Sequence, residues 1–237
     1  MGKNLIAQRR GKGTPRYRSP GFRFVGKAAH RKLDKEVVEG TILEILHCPG
    51  HYAPLLAIKF TNGEQVFSIA PDGVKVGDKV QAGREASLHT GNALPLRNIP
   101  EGTLIMNVES APGDGGKFIR SSGTFGKIVS RSEKAVRIMM PSRKEKDFHP
   151  DCRAQIGVVA GAGRTEKPFV KAGKRFHARH ARNKINARVC GVSMNAVDHP
   201  FGGKSSAHKG RPTVAPKYAP AGRKVGKIRP RRTGYKR

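Results

Sequence analysis

The chain has 237 residues with 47 Lys+Arg against 17 Asp+Glu, a formal net charge of +30 and a pI near 10.9. No window reaches the roughly 18 apolar residues that span a bilayer, the opening MGKNLIAQRR lacks the apolar run of a secretory signal, and the ends carry no Trp and no helical apolar stripe, so neither a membrane span nor secretion is expected and a membrane-surface helix is disfavoured. Cys48, Cys152 and Cys190 are odd in number and far apart, so the expectation is no disulfide framework, a reducing cytosolic setting and nucleic acid as the polyanionic partner.

Residues 1–35 hold 11 Lys+Arg and a single acid. The run Arg9-Arg10-Gly11-Lys12-Gly13-Thr14-Pro15-Arg16-Tyr17-Arg18 is charged and broken by Gly and Pro, and in isolation it should be disordered. Gly and Pro let a backbone follow an irregular phosphate surface. Arg9, Arg10, Arg16, Arg18 and Arg23 can pair bidentately with phosphate, and Tyr17, Phe22 and Phe24 can stack on splayed bases, which suits structured RNA better than a DNA groove.

Residues 36–110 reverse the balance, with 5 basic and 9 acidic side chains. Strands are expected at 41–46, 55–60, 65–69 and 73–80, with Asn62-Gly63 as a two-residue hairpin turn and Cys48-Pro49-Gly50 marking the preceding loop. Residues 36–84 therefore read as one small β-barrel. Residues 85–165 read as a second, with strands at 103–108, 127–129, 135–140 and 155–159 separated by turns at 113–116, 121–123 and 141–142. Residues 166–237 form a basic C-terminal extension. From 171 onward it has 19 Lys+Arg and one acid, and its one helical signal spans residues 174–183. Lys174, Arg175, His177, Arg179, His180 and Arg182 crowd that stretch and read as an RNA-facing turn or short helix.

The sharpest string is Arg188-Val189-Cys190-Gly191-Val192-Ser193-Met194-Asn195-Ala196-Val197-Asp198-His199-Pro200-Phe201-Gly202-Gly203-Lys204. It resembles the MNxVDHPxGG signature of the universal large-subunit ribosomal protein family usually called L-two. The opening MGK…QRRGKGTPRYR and the ending PAGRKVGKIRPRRTGYKR resemble the archaeal and eukaryotic branch of that family. Residues 120–124 (Arg-Ser-Ser-Gly-Thr) and 151–157 (Asp-Cys-Arg-Ala-Gln-Ile-Gly) match two further family segments. Two stretches depart from the pattern: 204–208, where relatives carry a further Gly and Arg or Glu, and 182–187, which lacks an aromatic.

The resemblance implies an all-β protein: an OB-fold-like barrel, then an SH3-like barrel, with basic N- and C-terminal tails threaded through large-subunit rRNA. It implies a monomer within the cytoplasmic ribosome, touching rRNA and other ribosomal proteins at the subunit interface. Support of assembly, subunit association, tRNA placement and the peptidyl transferase region follows from the same likeness. Arg120, Arg153, Met194, Asn195, Asp198, His199, Gly202, Gly203, Lys204, Arg223, Lys224, Arg231 and Arg232 join the residues named above as expected rRNA contacts. No small-molecule substrate and no cofactor is implied, with Mg2+ only as an rRNA counterion.

Other chemistries are weaker. His199 follows Asp198, but adjacent residues in a Gly/Pro turn rarely bring a carboxylate onto the far imidazole nitrogen, so Asp198 is expected to cap the turn and His199 to pack or meet RNA. Cys48-x-x-His51 and His149-x-x-Cys152 have chelating spacings, yet they belong to different expected barrels and are read as a loop and a buried thiol, with no metal. Pro112-Gly113-Asp114-Gly115-Gly116-Lys117 fails the P-loop spacing and reads as β-turns. The rival classes are a basic DNA-packing protein, which charge alone would permit, and an enzyme using His199.

Overall fold

In the computed structural model, which describes residues 2–32, 36–203 and 208–228, the β-branched and aromatic runs become an antiparallel meander of β1 (Val38–Leu46), β2 (Leu55–Phe60) and β3 (Gln65–Ile69). Leu55 and Leu56 are adjacent, so they point to opposite faces, and both are fully buried. Leu56 joins a core with Ile42, Ile58, Phe60 and Val80, whereas Leu55 joins a larger one with Ile69, Leu94, Ile105, Ile138 and Phe148. Each such side chain contributes about 1.5–3 kcal/mol by leaving water. A β-bulge between Ile42 and Glu44 breaks the strand's alternation, so that Leu43 and Glu44 are both exposed while Ile42 stays inside. Gly40 lies under Ile58 and Phe60, where an added Cβ would stand 2.8 Å from both side chains.

The Asn62-Gly63 hairpin differs from its expected two-residue form. Phe60 and Glu64 still pair, leaving a three-residue loop that ends on Gly63 at φ +84°, a type I turn followed by a left-handed residue. The strand expected at 73–80 starts only at β4 (Lys79–Ala82), because Gly73 and Gly77 at φ +82° and +91° bend the chain before it. β4 is antiparallel to β1 and meets β5 (Ala93–Pro95) through the parallel pair Ala82–Ala93.

The second strand block comprises β6 (Leu104–Met106), β7 (Gly126–Arg131), β8 (Val136–Met139), β9 (Glu145–Phe148) and β10 (Arg153–Ile156). β10 lies between β5 and β6, so a single ten-stranded sheet runs β3-β2-β1-β4-β5-β10-β6-β7-β8-β9. The body is all-β, as expected. β5 and β9 have no counterpart in the sequence reading, and the strand expected at 155–159 sits at 153–156, ending where Gly157 takes φ +119°.

The described residues fall into two compact units, one drawn from Met1–Pro20 and Val170–Arg237, the other Gly21–Phe169. Residues 21–32, grouped above with the N-terminal extension, are thus part of the sheet-bearing unit: Ala28, His30 and Arg31 are buried in it. The first unit holds short regular pieces where none was expected. These are α1 (Ile6–Gly11), whose entry is held by Leu5 N donating to Gln8 Oε1 at 2.9 Å, and a parallel pair of β11 (Val214–Ala215) with β12 (Lys227–Ile228). The basic stretch expected to be helical is α2 (Ala172–His180).

Candidate RNA-binding surface

Two of the expected RNA contacts are used inside the protein. Arg153, on β10, is 7% exposed. Its Nη2 and Nε donate to Glu109 Oε1 at 2.8 and 3.3 Å, and its Nη1 donates to the Arg31 carbonyl at 2.6 Å. Its guanidinium neutralises a fully buried carboxylate. Arg120 is half-buried and donates to the carbonyls of Gly116 and Ala28, each at 2.9 Å. Both guanidinium groups thus tie residues 28–31 into the body, Arg120 through the Ala28 carbonyl and Arg153 through that of Arg31.

Around them lies a polar network that the sequence reading did not find. Glu109 also accepts main-chain N–H bonds from Arg153, Gly113 and Gly115 at 2.9, 3.2 and 3.1 Å. Burial alone would push its carboxyl up, but the hydrogen bonds and charge of Arg153 outweigh that and hold it below the ordinary value. His30 Nε2 donates to the Asn107 carbonyl at 2.6 Å, and burial, reinforced by the Arg153 charge, pushes the imidazole down to about 4. Asn107 Nδ2 and Ser68 Oγ both reach Gln155 Oε1, at 3.0 and 3.1 Å. The amides of the Gly-rich turn at 110–116 point at Glu109 and at Asp114, which accepts from Ser110, Ala111 and Gly116, so they serve carboxylates. The only sequence signal for this hub is an acid directly after Leu-Ile-Met-Asn-Val and an Arg directly before Ala-Gln-Ile, each an ionic residue at the end of an apolar run.

The motif loop closes on itself. Gly203 N donates to Met194 O at 3.1 Å, Asp198 N and His199 N both reach Asn195 O, and Gly202 N reaches His199 O at 2.9 Å. Lys3 N donates to Val197 O at 2.8 Å, pinning the N-terminal segment to this loop. Phe201 is buried beneath it, with Lys209 Nζ 5.6 Å from its ring centroid. His199 Nδ1 accepts the Phe201 N–H at 3.0 Å, which leaves the proton of the neutral ring on Nε2, and burial moves its pKa down. The imidazole lies over Gly191, whose Cα hydrogen occupies space that any Cβ would take from the ring.

Asp198 does not orient that ring. Its Oδ1 stands 3.7 Å from Lys3 Nζ, and among the described residues no hydrogen bond joins it to His199; the expected turn cap is replaced by this ion pair. Without a carboxylate on Nδ1 the pair is not an acid–base dyad.

The remaining expected contacts are distributed over exposed backbone. Arg9, Arg10, Arg16, Arg18, Arg23, Lys174, Arg175, His177, His180, Asn195, Gly203, Arg223 and Lys224 are exposed, and Tyr17, Arg179, Arg182, Met194, Asp198, His199 and Gly202 are half-buried. Asn183 Nδ2 joins the two ends of the chain by donating to Pro15 O and Arg18 O at 2.7 and 2.9 Å. Lys204, Arg231 and Arg232 lie outside the described residues. The segments 1–20 and 170–237 together carry 25 Lys+Arg against Asp198 alone. Cys48 and Cys152 are buried in the larger core, where burial raises the Cys152 thiol to about 11, and among the described residues no three His, Cys, Asp or Glu side chains are grouped to hold a metal.

Comparison with known proteins matches residues 2–82 to the family "Ribosomal Proteins L2, RNA binding N-terminal domain" and residues 89–221 to "Ribosomal Proteins L2, C-terminal domain". The chain is 52% identical to the large ribosomal subunit protein uL2 of Methanosphaera stadtmanae and 50% identical to that of Archaeoglobus fulgidus, each over the full length of both chains. That of Methanothermobacter thermautotrophicus is 50% identical over the same extent. The class is therefore a ribosomal protein with an RNA-binding domain, not an enzyme. The chain belongs to the ribosomal protein L2 family.

Proposed function

We propose that this protein is a structural constituent of the large ribosomal subunit that binds large-subunit rRNA, supports its assembly, and contributes to subunit association, tRNA placement and the architecture near the peptidyl transferase region. The observation that carries the reading is that the two chain ends, whose sequence carries 25 cationic side chains against one acid, form one compact unit that includes the 188–203 loop. Such a surface recognises folded polyanion by neutralising phosphates. If about 10 are neutralised, the log–log salt slope is roughly −7 on single-strand-like RNA and about −9 on duplex. The proposed two-barrel organisation, divided near residue 85, is supported by the break between the two family matches at 82 and 89.

Sedimentation of a native extract through a gradient with magnesium and raised salt tests this. Migration with the large subunit after loosely held basic proteins are stripped is the expected result. Migration with DNA would restore the DNA-packing reading, and recovery at the top of the gradient would overturn a stable ribosomal role.

A further inference from the structure

Most side chains of α2 are small or cationic, and one is neither. Phe176 sits on a helix with no buried residue and is itself 49% exposed, so it fills no core. His180, one turn on, stacks on it with centroids 5.7 Å apart and planes 23° from parallel, while His177 meets it edge-on at 5.4 Å. Side chains on a helix lean toward its N-terminus, so His180 covers one side of Phe176 and Phe176 leans toward Ala172 and Gly173. There the way is open: a Cβ on Gly173 would meet nothing within 4 Å. At 100° per residue, Arg175 and Arg179 line one side of this strip, and Arg179 is steadied by Nη1 donating to Ile185 O at 3.3 Å.

We propose that Phe176 and His180 form a stacking platform for one unpaired nucleobase of the rRNA, placed over Gly173, with Arg175 and Arg179 holding the adjoining phosphates. The inference rests on the rRNA-binding reading above and assigns to Phe176 a contact that charge cannot make. Every base has a π-face, and a flat ring with two arginines along one side, on a unit with one acid, fits an unstacked base better than an apolar protein segment, which would have to desolvate both arginines.

The competing role is a helix staple, since ring pairs four residues apart steady a helix. Phe176→Leu separates the two, because Leu is the better helix former yet offers no π-face. Full-length protein is titrated against in-vitro-transcribed large-subunit rRNA at several salt concentrations. Base stacking predicts a loss of roughly 5- to 150-fold for Phe176→Leu, with the salt slope unchanged. Arg179→Gln should instead flatten the slope by about 0.7–0.9. The chain has no tryptophan, so Phe176→Trp places a lone indole at the site; it should retain wild-type affinity and lose emission on binding RNA. Unchanged affinity for Phe176→Leu, a loss that flattens the slope, or unaltered indole emission would each overturn the platform while leaving the rRNA-binding reading intact. Absence of salt-dependent binding by the wild-type chain would remove both.

Discussion

Deleting the Glu109 carboxylate should be among the most damaging single changes in the body. Glu109 is fully buried and accepts five hydrogen bonds, two from the Arg153 side chain and three from main-chain N–H groups of Arg153, Gly113 and Gly115. In Glu109→Ala the Arg153 guanidinium keeps only the Arg31 carbonyl and stays buried without a counter-charge. Stripping one partner from a buried ion pair costs about 3–5 kcal/mol, a large share of a typical stability of about 5–15 kcal/mol. Arg153→Met should cost less, since three main-chain donors still serve the carboxylate. The double variant should fall short of the sum by at least about 1 kcal/mol, because the second change removes the charge that the first had stranded. Urea unfolding of the full chain at pH 7, followed by far-UV circular dichroism at constant m-value, measures all three. A loss below about 1 kcal/mol for Glu109→Ala, or strict additivity, would refute the view that this pair locks the body.

Three further outcomes are expected. The folded-state pKa of His30 is depressed below its unfolded value, so the unfolded chain takes up more protons; stability is full above about pH 6.5 and falls by about 3 kcal/mol as pH drops toward 4, whereas His30→Gln, which keeps a donor for Asn107 O, should lose that component of the pH dependence in urea midpoints at pH 7 and 4.5. Gly191→Ala should displace the His199 ring from its seat and weaken protection of rRNA in footprinting at the motif loop, leaving the urea midpoint of the sheet-bearing unit unchanged. At pH 8 a thiol reagent should modify one cysteine quickly, the exposed Cys190, and all three only in denaturant, since Cys48 and Cys152 are buried and the Cys152 thiol is raised to about 11.

The legible parts of the fold were those written in alternating apolar residues. β1 to β3, β7 and β8 fall within two or three residues of where periodicity and turn chemistry put them. β9 was hidden because it is polar: on this sheet edge Glu145 and Asp147 are held by Arg137, whose Nε meets Asp147 Oδ1 at 2.8 Å, while Lys146 lies over the Phe118 and Phe148 rings, and such charges keep an edge from pairing with other chains. β5, Ala93-Leu94-Pro95, is too short to carry a period. At the candidate surface the family string located the motif loop and its glycines, and charge located the tails. Neither says which way a cation points. Arg153 and Arg120 look like any other arginine in sequence, and only the carboxylate and carbonyls that three-dimensional pairing brings to them show that they are tied into the body. Phe176 was passed over for the converse reason, since a single Phe among cations gives no stripe to read.

The links that hold residues 28–31 also impose an order of events during synthesis. The partners of this segment lie far downstream: Asn107 is 77 residues beyond His30, Arg120 is 92 beyond Ala28, and Arg153 is 122 beyond Arg31. At about 5–20 residues per second, some 6–24 s pass between translation of Arg31 and that of Arg153. Throughout that interval the most basic part of the nascent chain is outside the ribosome or in its exit path without its final tether, and a polyanion or chaperone can reach it first.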